Sequence, residues 1–179
     1  MKKILMHICC APCFVVPYYR LKESYDISGF WYNHNIHPVT EYNSRSRCMK
    51  NFVKDEGIRL IDKGEYGLVK FITKYVENEE QKCYYCYFER LDFVAQNAKA
   101  ENFDYFSTSL LYSKRQNHEM IKDIGFSIAE KYKIDFFYQD FRVYWEEGIS
   151  ISKEKGMYRQ KYCGCIFIEM ERFLVKENG

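Results

Sequence analysis

Residues 3–13 read KILMHICCAPC, and this stretch decides the fold. Lys3 to Ile8 is a short apolar run of the kind that forms a buried strand. Phe14 to Ser24 then reads as a helix, with Pro12 and Pro17 near its start, where proline is tolerated. The rest of the chain repeats this alternation. Strands are expected at Ile27–Tyr32, Ile58–Ile61, Asp104–Leu111 and Ile134–Tyr138. Helices are expected from a Thr40 cap to Glu56, stopped by Gly57, and over Tyr66–Val76, Tyr84–Glu101 and Asn117–Lys133, the last interrupted by Gly125. Phe88, Leu91, Val94, Ala95 and Ala98 share one face of the Tyr84–Glu101 helix. The polar segment Asn78–Lys82 leads into Cys83, and the tail from Phe141 is mostly helical. Alternating strand and helix predicts an α/β fold, a parallel sheet with helices on both faces. Right-handed crossovers place the C-terminal ends of the strands along one edge, where ligands bind. One domain spanning 1–179 is expected, with the cysteine-bearing segments as elaborations.

Composition narrows the class. Apolar residues make up 47%, enough for a full core, and the net charge is only +2. No global basic field therefore points to nucleic acid, although a local patch is compatible with that sum. There are 17 Tyr and 14 Phe, mostly core material, with a few able to stack on bases. The 8 cysteines are too sparse for a disulfide scaffold in a chain of this size. Met1 to Met6 briefly resembles a leader, but His7 interrupts the apolar run and no small-residue cleavage site follows. No run is long enough to span a membrane. The expectation is a cytoplasmic protein, where clustered thiols signify metal or redox chemistry.

Seven cysteines fall in three groups. Cys9, Cys10 and Cys13 sit where the first strand meets the first helix, and the helix dipole and free amides favour thiolate there. Cys83 and Cys86 form a CxxC at a helix start, which alone is ambiguous among zinc, iron–sulfur and dithiol chemistry. Its natural partner is the first group, two cysteines from each making a four-thiolate site. Cys163 and Cys165 form a CxC. A disulfide across so small a ring is strained and easily reduced, which suits an electron relay; two more metal ligands are the other reading. Cys48 stands alone in a helix and reads as structural.

Other residues are less specific. Arg45, Arg47 and Lys50 read as a solvated helix face, with contact to an RNA backbone as the alternative. Lys153, Lys155, Arg159 and Lys161 precede the CxC and suggest an anionic substrate. Asn33 to Pro38 follows the second strand and either reads a base, binds metal or bonds its own backbone. Ser107 to Ser109 ends the fourth strand. Asp140 ends the fifth, where it ligates iron, binds a ribose or caps the next helix.

Together these residues resemble a known family. HICCAPC, NHNIHP, CYYCYFERL, YFSTSLLYSKRQNHEMI, DFRVYWEEG and ISKEKGMYRQKYCGC look like the motifs of the cobalamin-independent epoxyqueuosine reductases. The resemblance runs from about His7 to Cys165, and the YCGC ending joined to CCAPC is its specific part. His34 departs from the family, which usually has proline there, and so does Ser107 to Ser109, where threonine is more common. The resemblance implies an adenine-nucleotide-hydrolase-like core and the last step of queuosine formation in tRNA, the two-electron deoxygenation of epoxyqueuosine. It implies a [4Fe–4S] cluster on Cys9, Cys10, Cys83 and Cys86, with Cys163 and Cys165 as the redox-active pair. A further iron beside the cluster would draw on Cys13 or Asp140. His37 or His7 is a candidate proton donor. The partners implied are tRNA carrying epoxyqueuosine and an electron donor that the sequence does not identify.

Two rivals remain open at this level. An ATP-dependent tRNA-modifying enzyme on the same scaffold needs a glycine-rich phosphate loop after the first strand, and that position reads CCAPC. A zinc-stabilised RNA-binding domain without catalysis needs four thiolates, which leaves the CxC unexplained.

Overall fold

The computed structural model describes residues 1–174, apart from the side chains of 77–79. Residues 175–179 of the expected domain lie outside it.

Ile4, Leu5 and Met6 are fully buried, so β1 (Lys2–His7) is covered on both faces, as a central parallel strand must be. β2 (Tyr25–Trp31), β3 (Leu60–Asp62), β4 (Tyr105–Thr108) and β5 (Asp135–Phe136) complete the sheet. All pairings are parallel, and the order is β3-β2-β1-β4-β5. Succession runs outward from β1 in one direction and then, from β4, in the other. The crevice between the ends of β1 and β4 is therefore a topological switch point, where such sheets bind ligands.

Helices cover both faces. α1 (Ala11–Leu21) packs on α2 (Val39–Asp55), while α4 (Lys82–Ala100) packs on α5 (His118–Tyr132) and against β1 and β4. α3 (Leu68–Tyr75) precedes a 3₁₀ turn at Val76–Gln81, which overlaps the Asn78–Lys82 segment expected to be merely polar. α6 (Trp145–Glu154) packs on α1, and a non-helical return leads to α7 (Ile166–Phe173).

Several boundaries differ from expectation. α1 starts earlier because Pro12 fits its first turn, which places Pro17 in the interior. There Pro17 withholds the amide that would bond the Cys13 carbonyl. The Asp104–Leu111 strand is cut at Thr108, whose hydroxyl accepts from the Leu110 amide and starts a 3₁₀ turn over Ser109–Tyr112. α2 is preceded by Pro38 rather than capped by Thr40.

α5 runs unbroken through Gly125, because that glycine answers to packing. A Cβ there would lie 2.3 Å from the ring of Phe136, which is itself held against Phe106 at 5.1 Å. Gly125→Ala is expected to destabilise the protein by ~1–3 kcal/mol through overpacking, beyond the ~1 kcal/mol alanine gains by helix propensity. Urea unfolding measures it; an unchanged midpoint would contradict the packing account.

Candidate metal and redox centre

The three cysteine groups converge on the switch point. Cys9 follows β1, Cys10 is the residue before α1, and Cys13 lies in its first turn. Their sulfurs all lie within 4.8 Å of one another, and all three residues are buried. A cavity of about 480 Å³ opens beside them. Cys9, Cys13, Cys83, Cys86, Cys163 and Cys165 line it, and Cys10 stands behind the wall. All eight cysteines are free thiols.

The polar groups around these sulfurs are donors. Ser109 Oγ donates to Cys9 Sγ at 3.2 Å and accepts from the Cys9 amide at 3.0 Å. Gln160 Nε2 donates to Cys10 Sγ at 2.8 Å. Arg90 Nη2 donates to Cys86 Sγ at 3.2 Å. Hydrogen bonds onto sulfur favour its charged form. The Cys9 thiol accordingly falls well below its ordinary range, mainly because Cys10 and Cys13 donate to it. Burial pushes Cys10 up, and donation to its neighbours keeps Cys13 protonated. Burial also raises Cys83, lifts Cys86 to about 11 and Cys165 to about 12. Cys9, Cys10 and Cys86, buried and approached by N–H and O–H groups, suit a metal that takes them as thiolates, while Cys83 stands exposed at the rim.

The CxC is held by its backbone. Arg45 donates to the carbonyls of Tyr162 at 2.9 Å and Cys163 at 3.0 Å, and the Gly164 carbonyl accepts from the His37 amide at 2.8 Å. Gly164 has φ +111°, and a Cβ there would lie 3.0 Å from Ile36, so only glycine fits. Arg45 is thus no solvated residue. It is 3% exposed and paired with Glu41 at 2.6 Å, whereas Arg47 and Lys50 are exposed as expected. The sequence reading missed Arg45 as a clasp, and it missed Arg90 and Gln160 altogether. The four-residue step from Cys86 to Arg90 on one helix was a usable signal.

Other expected residues lie elsewhere. His37 is buried under the rings of Phe71 and Tyr66 and does not line the cavity; burial lowers it to about 4. His7 is buried among Thr108, Asn33 and the Tyr32 carbonyl, and burial lowers it to about 3. Neither holds a proton at neutral pH. Asp140 is outside the lining and caps the 3₁₀ turn after β5, with Arg142 holding its carboxyl down at about 2. Asn35 does line the cavity, while Asn33 bonds the Ile8 carbonyl and His34 pairs with Glu89. Cys48 packs at the edge of the core.

The lining also carries Arg45, Lys82, Arg90, Arg115, Arg159, Lys161 and Arg172 and, among the described residues, no carboxylate. A chain with net charge +2 therefore concentrates positive charge at one cavity. Tyr112 and Trp145, stacked at 5.2 Å between centroids, form part of the wall.

Fold and site together define a doubly wound α/β protein with a buried thiol group at its switch point that could hold a metal. A structure described as a predicted subunit of tRNA methyltransferase from Methanocaldococcus jannaschii superposes with TM-score 0.53 and 13% identity, covering 88% of this chain and 89% of that one. The family model for "Epoxyqueuosine reductase QueH" matches residues 4–171, and the chain belongs to that family. Family members from Dehalococcoides mccartyi and Thermotoga maritima are 33% and 35% identical to it. Each match covers 96% of this chain, and 94% and 93% of the respective relative. The protein is an epoxyqueuosine reductase, an oxidoreductase of tRNA modification. Among the described residues no helix is long and apolar enough to cross a membrane.

Proposed function

We propose that the switch-point cavity deoxygenates epoxyqueuosine in tRNA, in the cytoplasm, with a [4Fe–4S] cluster on Cys9, Cys10, Cys83 and Cys86. Cys13, the third member of the buried triad, is the thiol available to an adjacent iron. Asp140 leaves that role because Arg142 occupies its carboxylate. One observation carries the reading: six thiols and seven cationic side chains share a cavity whose described lining has no carboxylate. When bound, such a cluster supplies single electrons and a Lewis-acidic iron.

The side chains supply the rest. Arg115, Arg159, Lys161 and Arg172 attract and seat the phosphates of the anticodon arm. Tyr112 and Trp145 offer aromatic surface to the modified base. Converting an epoxide to an alkene and water consumes two electrons and two protons. The Cys163 and Cys165 thiols release that number on closing to a disulfide, and an external electron donor then reopens it. Arg45 keeps the pair facing the cavity by holding their backbone.

Anaerobically purified protein is expected to contain roughly four iron and four sulfide per chain. It should convert epoxyqueuosine to queuosine in tRNA, read by nucleoside mass spectrometry. Stoichiometric zinc without sulfide, and no conversion, would favour an RNA-binding domain stabilised by zinc.

A further inference from the structure

We propose that Arg90 is the buried counter-charge of the metal centre and sets how readily that centre accepts an electron; the inference rests on the cluster reading above. Arg90 lies on α4 one turn after Cys86 and is 3% exposed. Its Nε donates to the Cys86 carbonyl at 2.9 Å and its Nη2 to Cys86 Sγ at 3.2 Å. Among the described residues no carboxylate pairs with it. The contrast with Arg45, equally buried but bridged to Glu41, shows that this protein does pair a buried guanidinium elsewhere. Glu89 is adjacent in sequence but is taken by His34, Tyr75 and Lys74. Against the cost of burial, the groups that favour the Arg90 charge are Cys86, Cys9, Tyr87 and Cys163 when they ionise.

Burial penalises the cation, and what the chain itself sets against that cost is the Tyr87 ring, 5.6 Å from its Cζ, and the low-titrating Cys9 thiol. A thiolate-held cluster carries net negative charge and offsets it directly. The same charge, with its N–H donated to a ligand sulfur, stabilises the reduced state and raises the potential. Arg90 is therefore a positioning residue for Cys86 as well as a fixed charge beneath the site.

The test compares Arg90→Met, Arg90→Gln and Arg90→Lys with wild type after anaerobic reconstitution. Iron and sulfide content are measured first, then the midpoint potential by optical and EPR titration. A loaded Arg90→Met is expected to lose at least ~10-fold in electron affinity, about 59 mV more negative for one electron. Arg90→Lys keeps the charge but not the planar fork, so it should recover part of the shift. Arg90→Gln keeps an N–H donor without charge and is read in the same way if the methionine variant does not load. A wild-type potential in either neutral variant overturns the proposal. If neither neutral variant loads, loading of Arg90→Lys with a native spectrum supports the counter-charge. Failure of all three overturns it in favour of a packing role. Wild-type protein without iron and sulfide would instead defeat the cluster reading itself.

Discussion

Cys10→Ser is expected to abolish metal retention and activity while leaving the apo fold intact or slightly more stable. Cys10 is 1% exposed, and its sulfur belongs to the triad packed within 4.8 Å. Serine is nearly isosteric but a poor thiolate substitute. The loss should exceed the ~10–100-fold typical of removing a partner from behind a metal ligand. Stability of the apoprotein moves the other way. Cys10 occupies the N-cap of α1 in extended conformation and makes no side-chain cap bond. The hydroxyl oxygen of a serine at such a position can accept from the first-turn amides, worth ~0.5–2 kcal/mol. Iron analysis, tRNA assay and urea unfolding of the apoprotein thus give opposite signs in one variant. Cys48→Ser, at the edge of the core, should change none of them appreciably. A Cys10→Ser protein with full iron and sulfide would remove Cys10 from the ligand set.

The second large effect is kinetic. The Cys163→Ser/Cys165→Ser double variant is expected to lose multiple turnover by at least ~100-fold. A single turnover by prereduced enzyme should persist. The two thiols line the cavity, and the segment is pinned by Arg45 and by the His37 amide, so removing two sulfurs leaves its anchoring unchanged. Rapid-quench measurement of queuosine formed per enzyme separates the two regimes. Wild-type multiple turnover in the double variant would remove the relay from the mechanism.

What could be read from the chain depended on how local each signal was. β1 and β2 are continuous apolar runs, and α4 shows its face by spacing, so the alternating layout and the ligand edge were legible. Leu110 and Leu111 extended the apparent fourth strand because their burial looks alike in a strand or a 3₁₀ turn. Only the Thr108 hydroxyl decides between them. Cys9, Cys10 and Cys13 lie within five residues where β1 gives way to α1, so their meeting was foreseeable from spacing, and the expectation left Cys13 available to an adjacent iron. His37 and Asp140 were correctly placed near strand ends. That Phe71 would cover one and Arg142 would occupy the other depends on side chains the local sequence does not orient. The meeting of Gln160 with Cys10, 150 residues apart, has no local signal at all.

That long-range closure bears on the order of assembly. In iron–sulfur proteins whose cysteines follow one another at short intervals, a flexible segment can gather the metal before the chain folds. Here the segments around residues 9, 83 and 163 come from distant parts of the chain and meet at one cavity through its tertiary fold. The apolar core stands apart from the thiols in most of its members, so the scaffold does not wait for metal as a zinc finger does. The folded chain thus presents an open, positively charged receptacle to the metal it is proposed to take up.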